Sequence, residues 1–402
     1  MRRLLVAVWL LAGCRGDRDR AAPPSPSPPA VAAAGTNGPN LPKLPTSPDG
    51  VAELRAIDAD LARLRGDVSG RGSFVNLLLG RAGVTQTVED YVEAVAVTQA
   101  WVDAAPDDAG AWKARAQTLA RVHRFADARA ALEHVKKLAD RGEWAPLAAT
   151  IDEATGHPEL AQPIREEWAS ILDRPEVTTM LGVNLALRGK LPEAIALIPK
   201  AAAAARDPSP VNFSWIYFQW GRLYEQSGQL ATARDLFAEA HRRMPGYLEA
   251  TVHLAQTMTA TGQDPKALVT EALATSSHPD LLALAGKTAE AKAGWERYVA
   301  ALPEAFSDHA ARFYLGPGAD PARALVLAKA NLANRDTAEA RALAVEAALA
   351  ATDPAEACEL VEPLLDPSRG ALRAQRFIAW KALSACGRRA DADRVAASLG
   401  IR

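Results

Sequence analysis

The chain is poor in the residues that carry chemistry. It has three cysteines among 402 residues, and its seven histidines (His123, His134, His157, His241, His253, His278 and His309) are scattered. There is no Cys pair at zinc spacing and no His-Glu-x-x-His, so no metal site is expected. A Gly-x-Ser-x-Gly elbow, a phosphate loop and a dinucleotide fingerprint are all missing. No catalytic residue, cofactor or small-molecule substrate is therefore assigned, and the chain reads as a non-enzyme. Acid pairs such as Asp107-Asp108 and Asp152-Glu153 fit helix caps and solvated faces. A surplus of positive charge is lacking as well: 46 Lys and Arg against 48 Asp and Glu give a net charge of -2. Without a broad basic field, nucleic-acid binding has little electrostatic support. Aromatic residues make up only 6%, and no alternating valine or isoleucine run suggests a sheet. The abundant alanine favours helix.

What is present begins with the N-terminus. Met1-Arg2-Arg3 is a positive n-region, and Leu4 to Leu11 is an apolar run too short to span a bilayer, as in an export signal. The following Leu11-Ala12-Gly13-Cys14 resembles the lipobox of bacterial lipoproteins. That resemblance implies cleavage before Cys14, a diacylglycerol thioether on its sulfur and usually an acylated amino group. Several acyl chains anchor a protein stably. Arg15 is not the Asp that favours inner-membrane retention in enteric bacteria, so the expected address is the outer membrane, facing the periplasm. Residues 14–47 are rich in Pro, Ser and Ala and read as a disordered tether. Its upper reach is on the order of 100 Å for polyproline II.

The rest, residues 48–402, is organised around Ser214 to Tyr247. Tyr217, Trp220, Gly221 and Tyr224 recur at helical spacing, Gly228 breaks the pattern, and Ala233, Phe237 and Ala240 form a second stripe before Pro245. This is a hairpin of two short helices, in which Gly221 and Ala233 allow close approach while Trp220, Tyr224 and Phe237 fill the space. Similar patterns recur at a period of about 34 residues, clearly at 109–142, 175–208 and 248–281, and more weakly at 75–108, 142–175, 305–338, 339–372 and 373–402. The pattern resembles the tetratricopeptide repeat. The resemblance implies an all-α fold, a right-handed α-solenoid of about nine hairpins, each too small to fold alone and each resting on its sequence neighbours in a curved rod.

Departures from the period mark irregularities. Ser47-Pro48-Asp49 reads as the cap of a helix over 48–66. An extra stretch at 205–213 predicts a longer loop. The first helix near Leu281 is truncated before Gly286. Pro199 and Pro363 fall inside second helices and should kink or end them. Cys358 and Cys386 lie at ends of adjacent antiparallel helices, where either a disulfide or two buried thiols is open.

In the family that the pattern resembles, first helices line a concave groove. Trp215, Phe218 and Arg222 share a face distinct from Tyr217, Trp220 and Tyr224. Two readings of that face stand: a ligand platform with Gln226, Gln256 and Lys113 as polar partners, or a surface covered by the 205–213 loop. Aromatic and Arg residues are typical hot-spot material. The expected function is a lipid-anchored scaffold or adaptor in the bacterial envelope that binds a protein or peptide. The alternatives are a lipoprotein that binds or processes cell-wall glycan, and a plain spacer.

Overall fold

A computed structural model describes residues 43–206 and 209–401. The leader, Cys14 and the tether as far as residue 42 lie outside the described residues. The described residues form helices and turns with no strand. After a lone α1 (Gly50–Leu64), the chain runs through α2 (Arg71–Thr85), α3 (Val88–Ala104), α4 (Ala109–Arg121), α5 (Phe125–Leu138), α6 (Arg141–Ala154), α7 (Pro158–Ile171) and α8 (Pro175–Leu187). It continues with α9 (Leu191–Ala196), α10 (Ile198–Ala203), α11 (Pro210–Gln226), α12 (Leu230–Arg243), α13 (Leu248–Ala260), α14 (Lys266–Leu273) and α15 (Pro279–Leu284). The last elements are α16 (Thr288–Ala301), α17 (Pro303–Leu315), α18 (Pro321–Asn334), α19 (Ala338–Ala350), α20 (Pro354–Val361), α21 (Arg373–Ala385) and α22 (Arg389–Leu399). Apart from α10, after which α11 packs back on α8 and α9, each helix packs on the next, as a solenoid requires.

Local sequence explains the boundaries. Asp49 caps α1 by accepting the Val51 N–H at 2.9 Å, so the cap is the acid rather than Ser47, and the helix starts after Pro48. Asp108 caps α4 in the same way through the Gly110 N–H at 2.8 Å. Several helices open on proline, whose missing N–H costs nothing in the first turn. Pro199 splits one second helix into α9 and α10, and at Pro363 α20 gives way to a 3₁₀ turn, Glu362–Leu365. The truncated first helix is the six-residue α15. The 205–213 stretch departs from expectation: α11 already begins at Pro210, because Ser209 Oγ accepts the Asn212 N–H at 3.3 Å and starts the helix early. Phe213 is therefore a fully buried helical residue rather than part of a loop.

The α11–α12 hairpin is the densest part of the core. Trp220, Phe218, Phe237, Ala233 and Ala240 are each at most 1% exposed. A Cβ on Gly221 would lie 2.5 Å from the Phe237 ring, so only glycine permits this helix spacing.

The chain also folds back on itself, which the one-dimensional rod did not anticipate. One continuous apolar cluster contains Leu61, Phe74 and Leu78 together with Trp295, Tyr298 and Phe306. α2 packs on α13 and α3 on α16. The Tyr91 and Phe306 rings meet edge to face at 6.3 Å. The turn after α4 docks on the α17–α18 hairpin: His123 Nδ1 is 3.1 Å from the Glu304 carbonyl, and the Asn334 amide donates to the His123 carbonyl at 2.9 Å. A carbonyl only accepts, so Nδ1 carries the proton.

The last residues assigned to the tether are held too. Leu44 is buried, its N–H donates to the Tyr217 hydroxyl at 2.9 Å, and Arg243 donates to the carbonyls of Leu44 (3.1 Å) and Pro45 (2.8 Å). The Arg243 guanidinium lies over the Phe213 and Tyr217 rings at 5.3 and 5.1 Å. Residues 43–47 thus form a strap on α11 rather than free linker. Its burial was hidden because Leu44 sits in a proline-rich context with no helical period.

Candidate functional site

Helix α11 presents two faces, as its sequence implied, but they divide differently. Phe218 turns towards α12 and α13, where it meets the rings of Phe237, Tyr247 and His253 at 5.7, 5.3 and 5.3 Å. It is core and fully buried, because at 3.6 residues per turn it lies roughly 60° round the helix from Trp215, farther than Gln219, Arg222 or Gln226, on the side that faces α12. Trp215, Gln219, Arg222 and Gln226 occupy the other face and line a cavity. Its walls enclose about 1200 Å³, part of it open to solvent. Gln219 is absent from the sequence assignment, yet its spacing of four from Trp215 and three from Arg222 is a legible helical signal.

The cavity does not open as a trough. On the near side it has α8, through Met180, Val183 and Leu187; on the far side it has the segment from Arg335 to Glu339, Arg369 and Gln375, which belong to much later hairpins. The walls touch where backbones meet. A Cβ on Gly370 would lie 2.2 Å from the Leu187 carbonyl oxygen, and one on Gly156 2.2 Å from that of Asp336. These far-side residues carry no signal in the sequence, since nothing periodic links them to α11.

The remaining assigned groove residues do not converge on the cavity. Gln256 is half-buried on α13. Lys113 is half-buried on α4 and pairs with Glu143. Cys358 and Cys386 are bonded to each other, with Cα atoms 6.1 Å apart, and staple α20 to the end of α21. Cys14 lies outside the described residues.

Electrostatics along the cavity and its neighbouring seam are set by buried and half-buried ion pairs. Arg165 holds Glu153 at 2.6 Å, Arg312 holds Glu339 at 2.7 Å, and Asp336 accepts from both Arg341 (2.7 Å) and Arg369 (2.8 Å). Arg335 reaches down to the buried Asp308. Burial opposes the charge of Asp308, but His309, Arg335 and His123 outweigh it and hold that carboxyl well below its usual range. Burial, reinforced by the Arg335 charge, pushes the His123 imidazole down to about 3.

A stack of two-helix hairpins with an aromatic first helix, a small-residue second helix and an inner cavity defines an α-solenoid. The family model for the tetratricopeptide repeat matches residues 224–289, from the end of α11 into α16. No curated protein matches the chain. Among solved structures, the chain is similar to the APC/C hetero-tetramer Cut9-Hcn1 (13% identity, 83% of this chain and 73% of that one, TM-score 0.42). It is also similar to yeast Tom70 (13%, 85% and 97%, TM-score 0.32) and to a tetratricopeptide repeat protein from Parabacteroides merdae (16%, 67% and 97%, TM-score 0.36). Likenesses this loose say nothing about partners.

Proposed function

We propose that the protein is a lipid-anchored scaffold of the bacterial envelope that holds a protein partner on the inner side of its solenoid. The observation that carries this reading is the repeat architecture itself, a stack of tetratricopeptide hairpins whose match covers residues 224–289. On two first helices, α4 and α13, the side chains of Lys113 and Gln256 remain partly exposed, and they offer polar contact to an extended partner segment. The Leu11-Ala12-Gly13-Cys14 pattern supports the anchor, and the proline-rich stretch that follows supports a tether long enough to lift the solenoid off the bilayer. With residues 43–47 strapped to α11, the tether meets the folded body at its middle hairpin rather than at one end of the stack.

The test is site-specific photo-crosslinking in the native cell. A crosslinker at Gln256 should capture one defined protein, and the same crosslinker at the exposed Asp235 on α12 should not. Equal capture from both faces, or none from either, overturns the reading. For the anchor, Cys14→Ala should move the protein from the membrane to the soluble envelope fraction; retention in the membrane would remove that part of the proposal.

A further inference from the structure

The charges around the inner cavity are paired unevenly. Glu153 is held by Arg165 and by the Asn184 amide at 2.9 Å, and Asp336, Glu339 and Arg335 each have an ion-pair partner of their own. Arg222 differs. It is 5% exposed, and its Nε and Nη1 find no hydrogen-bond acceptor. Its carboxylate neighbour, Glu225, stands at 3.5 Å and is shared with His253 at 3.1 Å. A guanidinium taken out of water with so few acceptors is incompletely compensated, and an anion that enters beside it restores what desolvation removed. Arginine suits a carboxylate in particular, because its planar fork matches the two oxygens.

The rest of the cavity is apolar near that charge, with Trp215, Met180, Val183 and Leu187 on one wall. The space beside that charge is bounded by protein on both sides and partly open to solvent, as small-molecule sites commonly are. The backbone contacts at Gly156 and Gly370 pinch the walls together, leaving no open groove for a partner helix about 10 Å across. We infer that the cavity binds a small amphipathic monocarboxylate, its carboxylate on Arg222 and its apolar body along Trp215 and the α8 wall. Gln219 and Gln226 stand on the same stripe, with amides to complete the hydrogen bonding of the head group. Because the opposite wall comes from late hairpins, an occupant touches both arms of the folded-back chain and holds them closed. This assigns a ligand class that the sequence did not suggest, and it is independent of the scaffold reading, since acid binding and partner capture are read separately.

The experiment uses the purified full-length chain with decanoate and indole-3-acetate as probes, each against its neutral amide, by calorimetry and thermal melting. The acid is expected to bind at least tenfold more tightly than its amide and to raise the melting temperature. Arg222→Met should reduce that preference to less than threefold while leaving amide affinity unchanged. Should the variant fail to fold, the acid-to-amide ratio in the unaltered protein decides by itself. Equal affinity for acid and amide, no binding of either acid at millimolar concentration, or undiminished acid binding by a folded Arg222→Met protein would overturn the inference. So would binding of a short peptide through its terminal carboxylate when neither small acid binds.

Discussion

Two kinds of interface hold this molecule together, and they are built from different materials. Where a hairpin meets its neighbour in sequence, as at α11–α13, the contact is aromatic and apolar: Phe218, Phe237, Trp220 and Ala233, with Gly221 setting the distance. Where hairpins far apart in sequence meet, the contact mixes an apolar patch with buried polar groups and glycine. His123 faces the Glu304 carbonyl, the Asn334 amide donates to the His123 carbonyl, and Gly370 lies against Leu187. The first kind stabilises through area removed from water and tolerates any position along the stack. The second is specific, since a buried charge or a backbone-to-backbone contact is satisfied in only one arrangement.

The largest expected effect breaks the first kind. Phe237→Ala removes a fully buried ring and should cost about 3–5 kcal/mol, read by denaturant unfolding. Hydrogen exchange should localise the loss to α11–α13, and protection that falls instead across the seam would blur the distinction drawn here.

Next in size is the disulfide. The C-terminal hairpins are packed largely with alanine, including Ala348, Ala357, Ala379 and Ala382, which buries little area per residue. The Cys358–Cys386 bond closes a segment of 28 residues in sequence separation, worth roughly 3–4 kcal/mol by chain entropy. Under a reductant α20–α22 should lose exchange protection before α11–α12 does; simultaneous loss would show that the alanine core suffices without the staple.

The seam has its own signature in acid. His123 has an ordinary pKa near 6.5 when unfolded and is held down to about 3 in the fold. Below about pH 6.5 the unfolded chain therefore binds more protons. The stabilisation from keeping this histidine neutral is full above that pH and declines as pH falls towards 3, by about 1.4 kcal/mol per unit, or roughly 3 kcal/mol at pH 4. Asp308, held well below the usual carboxylate range, keeps its contribution until the pH falls below that range. His123→Asn should flatten the stability profile between pH 4 and 6.5; His241, also lowered by burial, leaves a residual slope. An unchanged profile would remove His123 from the seam.

The smallest effect sharpens the comparison most. Gly370 has φ +68, and its Cβ would strike the Leu187 carbonyl. Gly370→Ala should cost about 1–3 kcal/mol and open the seam without melting the stack. Trp215 fluorescence would shift to the red while helix content stays constant. Loss of helix in proportion would mean that the seam and the stack fold as one unit.

How much was legible follows the same division. The hairpins, the truncated α15 and the breaks at Pro199 and Pro363 were written in local patterns of apolar spacing, glycine and proline. On the cavity, Trp215, Arg222 and Gln226 were readable as one stripe of α11, and Gln219 belonged to the same stripe. Phe218 was placed with them, although it lies at the edge of that stripe, where it packs against Phe237 in the core. The opposite wall, Arg335 to Glu339 with Arg369 and Gln375, was not readable, and neither was the burial of Leu44 under Arg243.

The amino-acid sequence by itself determined the repeating unit, because a hairpin of two short helices is specified within about 34 residues by which side chains recur at helical spacing. Only the tertiary structure decided that the stack closes on itself and encloses a cavity with Arg222 in its wall. Small rotations between successive hairpins accumulate along the chain, and where the two arms finally meet depends on their sum rather than on any one segment.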